Sequence, residues 1–224
     1  MTAGLNDIPG VAPVVSADKA ALPSQAAASS QPGSTERRRL VVGVSGASGT
    51  PLALRLLRAT AALEDVETHL VLTRGACLTA SHELPSDVTF DDLCALADVV
   101  HDIGSVGDSI ASGTFKTLGM VVVPCSMKTV AGIASGYSDN LLLRAADVTV
   151  KEGRQLVLVA RETPLSPIHL KNLAYLSTIP NVSVMPPMLE YYTRPETLED
   201  VERHLVAKVL ERFGIELPGF KRWS

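Results

Sequence analysis

No stretch of this 224-residue chain reaches the about 18 to 20 consecutive apolar residues that a membrane-spanning helix requires. The N-terminus also lacks a charged segment followed by an apolar one, so no secretory leader is read and a cytoplasmic location is expected. Cysteine is scarce: Cys77, Cys94 and Cys125 form no C-x-x-C pair, which argues against a disulfide framework and a zinc site and predicts three free thiols. Positive charge is not in excess, with 20 Lys and Arg against 24 Asp and Glu, a net charge of -4. That balance leaves no footprint for nucleic acid, and no basic amphipathic segment suggests a membrane surface. His69, His82, His101, His169 and His204 fall at no metal-binding spacing, so no function is assigned to them. A small metabolite is the better first expectation.

The chain is 46% apolar and 20% charged, which suits one well-filled globular domain. Residues 1 to 36 are rich in Ala, Ser, Pro and Gly and hold no aromatic residue, so they read as a disordered tail, with the domain spanning residues 37 to 224. Within the domain, apolar runs at Leu40–Val44, Thr68–Thr73, Gly119–Pro124, Gln155–Ala160 and Val182–Met185 read as strands. Segments at Pro51–Leu63, Gly75–His82, Asn140–Ala146, Ser166–Ser177 and Thr197–Phe213 read as helices, with a further helix after Thr129. Alternation of this kind predicts an α/β fold: a doubly wound parallel sheet in a single three-layer α/β/α domain. Ligands of such sheets collect beyond the carboxyl ends of the strands, so chemistry is sought there.

Four segments stand at those ends. Gly43-Val44-Ser45-Gly46-Ala47-Ser48-Gly49-Thr50 closes a strand and opens a helix, where glycines let the backbone approach a ligand and N–H groups face an anion. A ligand-free tight turn is the alternative. The spacing is not G-x-G-x-x-G, and Thr73-Arg74 ends the second strand where a nicotinamide site would place an acid, so NAD is disfavoured. Pro124-Cys125-Ser126-Met127-Lys128-Thr129 offers hydroxyls and amides for a phosphate or a planar ring, or is simply a capped helix start. Arg144, Lys151, Arg161 and Glu162 are a solvated ion-pair set or a ligand-binding group, with Arg161 and Glu162 following an apolar strand directly. Pro186 to Pro195 is a Pro-flanked loop with Tyr191 and Tyr192, suited to covering a pocket. Glu83 reads on sequence alone as a solvated helix-end residue.

GVSGASGTPLALRLL, ETHLVLTRGA, the block from GMVVVPCSMKT to SPIHLKNL, and MPPMLEYYTRPETLEDVERHLVAKVLERFGI resemble successive signature blocks of the UbiX-type flavin prenyltransferases. The resemblance implies a Rossmann-like flavoprotein, usually a dodecamer, with active sites between subunits. It also implies the reaction, in which dimethylallyl monophosphate alkylates reduced FMN at N5 and ring closure at C6 yields prenylated FMN for a UbiD-type decarboxylase. By position it implies that Gly46, Ala47, Ser48, Thr73, Ser126, Met127, Lys128, Thr129 and Arg161 hold FMN. Tyr192 and Lys208 would hold the substrate phosphate, with Glu83, Arg144, Lys151 and Glu162 serving phosphate binding and proton transfer. Thr73 stands where Ser is common, and Lys208 where Arg is common. No D-D-x-x-D motif occurs, so no metal is expected, and a cation cluster would neutralise the leaving phosphate instead.

Two other readings compete. An FMN-dependent cysteine-type decarboxylase of the same fold would carry Pro-Ala-Ser-Ala-Asn-Thr where this chain has Pro124-Cys125-Ser126-Met127-Lys128-Thr129. A non-catalytic flavin-binding subunit of a decarboxylase would not need these acids and cations.

Overall fold

The computed structural model describes residues 37 to 220 and residue 222; the expected tail, residues 1 to 36, lies outside the described residues. The apolar runs form strands β1 (Arg38–Val44), β2 (Val66–Leu72), β3 (Val99–His101), β4 (Gly119–Cys125), β5 (Gln155–Ala160) and β6 (Val182–Val184). They pair in the order β3-β2-β1-β4-β5-β6, every pair parallel. This is a doubly wound sheet whose winding reverses between β1 and β4.

The helices are α1 (Thr50–Ala61), α2 (Arg74–Glu83), α3 (Phe90–Cys94), α4 (Met127–Ser135), α5 (Leu141–Lys151), α6 (Pro167–Ser177) and α7 (Leu198–Glu211). Because successive strand residues point to opposite faces, one strand feeds two cores. Leu40, Val42 and Val44 meet Leu52, Leu56 and Leu57 of α1 and Val206 and Leu210 of α7. Val41, Met120 and Val122 meet Leu141, Leu142, Ala145 and Ala146 of α5 and Val130 of α4. Both sheet faces are covered, which is why the central strands read as unbroken apolar runs rather than alternating ones.

Several elements differ from the sequence expectation, among them α3, a five-residue helix in a stretch where none was read. The strand β3 was not foreseen, because it is three residues at the sheet edge with Val99 and Val100 exposed. The helix expected at Asn140–Ala146 runs on to Lys151, since Val148 and Thr149 continue its buried stripe, while Asn140 caps its start by accepting from the Leu143 N–H.

Gly119 opens β4 with φ +140°, and a Cβ there would stand 2.1 Å from the Gln155 carbonyl oxygen of the neighbouring strand. Only glycine fits such a backbone against another strand. Gly119→Ala is expected to destabilise the fold by more than about 3 kcal/mol, read as a large drop in the denaturant midpoint with an unchanged slope.

Candidate functional site

Where the winding reverses, the ends of β1 and β4 are joined by one buried hydroxyl. Ser45 Oγ donates to the Pro124 carbonyl at 3.0 Å and accepts from the Ser126 N–H at 2.8 Å. The neighbouring strand ends are tied in the same way: the Thr73 N–H donates to the Val44 carbonyl at 2.9 Å, and the Arg161 N–H to the Cys125 carbonyl at 3.0 Å. A continuous shelf of backbone results, running from β2 through β1 and β4 to β5. Gly46 lies on it facing solvent, and its backbone is so close to Gly75 that an added Cβ would stand 2.8 Å from the Gly75 Cα.

The expected flavin-site residues Gly46, Ala47, Ser48, Thr73, Ser126, Met127, Lys128, Thr129 and Arg161 all fall on this shelf or in the first turn beyond it. Two of the expected hydroxyl donors also serve local structure. Thr73 caps α2 by accepting from the Ala76 N–H at 3.2 Å, and Ser126 caps α4 by accepting from the Thr129 N–H at 3.3 Å. Capping and ligand binding are therefore not exclusive readings here, because a hydroxyl that accepts from the backbone still has a proton to give. Glu162 follows Arg161, its carboxylate 3.8 Å from that guanidinium and accepting from the Thr163 N–H at 3.0 Å. Burial pushes the Cys125 thiol far above the usual range, so the central cysteine of this edge stays protonated.

Glu83 corrects the sequence reading. It is half-buried rather than solvated, and one carboxylate oxygen accepts from the Gly49 N–H at 2.8 Å and the Thr50 N–H at 2.9 Å. The last residue of α2 thus fills the positive end of α1. Burial alone would push its carboxyl up, but hydrogen bonds from the Ser48 hydroxyl, the two N–H groups and Thr50 outweigh that and hold it below the usual carboxylate range. In dinucleotide-binding sheets this helix end takes the pyrophosphate. Here a protein anion already occupies it.

The remaining expected residues lie elsewhere. Arg144 is in the first turn of α5, paired with Asp147 at 2.6 Å. Lys151 closes the same helix, paired with Glu152, about 16 Å along an 11-residue helix whose first N–H bonds to Ile103 just beyond β3. It therefore stands at the amino edge of the sheet, opposite the shelf. Tyr192 lies against α7, its hydroxyl 3.2 Å from His204 Nε2, while Lys208 stands exposed one turn further along α7 on the same face. The expected set is thus split between the shelf, the far end of α5 and the outer side of α7. A cavity of about 680 Å³ between α1, α7 and Leu217–Phe220 holds none of the expected residues. Chemistry rather than volume makes the shelf the candidate site.

Sequence reasoning missed Ser45, although it stands inside the glycine-rich segment, because its role lies in linking two strands far apart in the chain.

The family model described as Flavoprotein matches residues 28–211. The flavin prenyltransferase UbiX of Neisseria meningitidis serogroup B is 50% identical over 190 residues, covering 84% of this chain and 97% of its own. Among solved structures, a dodecameric FMN-dependent UbiX-like decarboxylase from Escherichia coli O157:H7 superposes with a TM-score of 0.80 at 49% identity, covering 83% of this chain and 99% of its own. AnUbiX in complex with FMN and dimethylallyl pyrophosphate gives a TM-score of 0.80 at 42% identity, covering 84% and 98%.

The Glu83 contacts predict a stability role. Hydrogen bonds to a charged group contribute about 1.5 to 3 kcal/mol, so Glu83→Gln is expected to lower stability by about 1 to 2 kcal/mol and Tm by several degrees at neutral pH. A carboxyl depressed below its ordinary value of 4.5 stabilises the fold fully above that value and loses this as pH falls through the folded pKa. Melting curves should accordingly show the gap between wild type and Glu83→Gln closing only in acid.

Proposed function

This chain belongs to the Flavoprotein family and, within it, to the UbiX-like flavin prenyltransferases, and we propose that it transfers a dimethylallyl group from dimethylallyl monophosphate to reduced FMN. The C1–O bond of the donor breaks and phosphate leaves as N5 of the reduced flavin takes the prenyl carbon and gives up its proton; the prenyl double bond then gains a proton and bonds to C6, which loses its hydrogen as a proton, and a fourth ring is complete. The product, prenylated FMN, would serve a UbiD-type decarboxylase.

The observation that carries a mononucleotide over a dinucleotide is Glu83 on the α1 N-terminus, where its charge repels a pyrophosphate. The shelf fits a flavin: Gly46 brings bare backbone to the surface, and Thr73, Ser126, Thr129 and Arg161 offer donors along one edge, with Ser48 beside them. On this reading Gly46, Ala47 and Met127 line the ring system and Lys128 reaches over it from the exposed side of α4. Arg144, Lys151, Tyr192 and Lys208 neutralise the phosphate, and the carboxyl groups of Glu162 and Glu83 serve proton transfer beside it, Glu83 as a proton acceptor. Positive charge aimed at a departing phosphate lowers the barrier without a metal clamp.

One chain cannot assemble that set, since Lys151 and Tyr192 stand away from the shelf. The proposed active site is therefore shared between copies of a homo-oligomer, a dodecamer as in the Escherichia coli relative. A cytoplasmic setting is proposed with it: Cys77, Cys94 and Cys125 are free, and no helix among the described residues is long and apolar enough to cross a membrane.

Anaerobic incubation with reduced FMN and dimethylallyl monophosphate should yield a flavin heavier by one prenyl group in the mass spectrum, with the rate unchanged by EDTA. An unmodified flavin, or activity lost to EDTA and restored by Mg²⁺, refutes the corresponding claim. A second experiment addresses the shared site. If Lys151 and Tyr192 reach one site from different copies, inactive Lys151→Ala and Tyr192→Phe proteins, unfolded and reassembled together, should recover about a quarter of wild-type activity, the fraction of sites with both residues intact. No recovery on mixing means that both residues serve the same chain.

A further inference from the structure

Two histidines at the sheet edge have no part in the proposed reaction. His69 on β2 and His101 at the end of β3 are buried, 3% and 6% exposed, and meet nitrogen to nitrogen, His69 Nδ1 to His101 Nε2 at 2.9 Å. The other nitrogen of each ring reaches a carboxylate: His69 Nε2 lies 2.7 Å from Glu67 Oε1, and His101 Nδ1 lies 2.8 Å from Asp108 Oδ2. Four side chains thus form one line of three short contacts. We propose that this line is a one-proton lock, which closes β3 and residues 102–108 onto β2 while it holds a third proton and opens when rising pH removes it.

Each contact needs one proton between its two atoms. Two ionised carboxylates bring none, and two neutral imidazoles bring two. Whichever tautomers are drawn, two protons leave one contact with lone pair against lone pair, a repulsion that water does not screen in a buried setting. The closed line therefore binds one proton more than its neutral rings carry, and the two rings titrate as a unit. Burial pushes the His69 imidazole below its ordinary value, with the charges of His101 and Arg39 adding to this and Glu67 opposing it. The extra proton consequently sits on His101, with Nδ1–H on Asp108 and Nε2–H on His69, and neutral His69 gives its own to Glu67. Arg39 stands 3.4 Å from Glu67 and over Phe115, whose ring meets His69 edge-on. The neighbouring charges are engaged elsewhere: Asp98 with Arg37 and the Thr68 N–H, and Asp102 with the Gly104 N–H. On α5, which packs against β2 and Ser109–Ala111, Arg144 pairs with Asp147 and Lys151 with Glu152.

His101 and then the Ser109 N–H hold the Asp108 carboxyl below the usual carboxylate range, so on the acid side the lock persists until Asp108 itself takes a proton. On the alkaline side the imidazolium is lost and one contact breaks. The far end of the loop does not follow, because the always-charged Arg154 holds the Gly113 and Phe115 carbonyls. The released segment includes Ile103, whose carbonyl accepts from the Leu141 N–H, so opening also loosens the start of α5.

The test is deuterium exchange of the whole protein followed by mass spectrometry from about pH 5 to about pH 9, with each rate divided by the intrinsic rate at that pH. Protection of peptides covering residues 99–108 should fall about ten-fold in one step, the effect of one lost buried hydrogen bond, while peptides of β4 and of residues 113–118 hold steady. Asp108→Asn still accepts from His101 and from the Ser109 N–H but lacks the charge that retains the proton, so its step should lie about one pH unit lower. His69→Leu removes the opposing lone pair and should show no step; if it fails to fold, Asp108→Asn decides alone. A flat wild-type profile, an unshifted step in Asp108→Asn, a step retained in His69→Leu, or a loss of protection shared by β4 overturns the proposal.

Discussion

The hydroxyl of Ser45 is the point on which the candidate site depends. A parallel sheet that winds in opposite senses on either side of β1 and β4 sends its connecting helices to opposite faces at that seam, leaving a crevice. Backbone groups lining a crevice are short of partners, and an unpaired buried donor or acceptor costs about 1 to 3 kcal/mol. With bonds to the Pro124 carbonyl and the Ser126 N–H, Ser45 satisfies both rims with one side chain and holds the starts of α1 and α4 in register. The shelf on which flavin recognition is proposed is the continuation of that join.

A second charge distribution narrows what the crevice accepts. The positive end of α1 is the common phosphate seat of doubly wound sheets, and here it is filled from within by Glu83. The carboxylate stabilises the helix and at the same time opposes a second anion at that seat. The other helix starts on the shelf are capped by neutral hydroxyls, Thr73 on α2 and Ser126 on α4, which leaves them without a built-in anion. A phosphate-bearing mononucleotide therefore meets less repulsion towards β4 than towards α1.

Much of this was legible in the sequence, and the reason is periodicity. The strands β1, β4 and β5 are continuous apolar runs because both faces are covered, and their ends located the shelf residues from Gly46 to Arg161 correctly along the fold. What was not legible arises from contacts distant in the chain. Glu83 read as a solvated helix end because nothing near it in sequence shows that Gly49 and Thr50 will face it. The separation of Lys151 from the shelf follows from α5 running on past Ala146. The edge strand β3 is too short and too exposed to carry a pattern.

The last consequence concerns surface rather than site. Helix α6 buries only Leu176 completely, while Ile168 is 70%, Leu170 52% and Tyr175 54% exposed. The loop before α7 adds Met188, Leu189 and Tyr191, all exposed. The apolar side chains of α6 point to more than one side, and one chain of this fold covers only the side that meets α4 and β6. Single exposed apolar residues need no explanation, but a helix and a loop that both leave most of their apolar side chains uncovered mark an interaction surface. The loop is the one that carries Tyr192. If copies of the chain cover these side chains, as the proposed homo-oligomer requires, the same contact that buries them delivers Tyr192 and Lys208 to a neighbouring shelf, so that assembly and completion of the active site are one event.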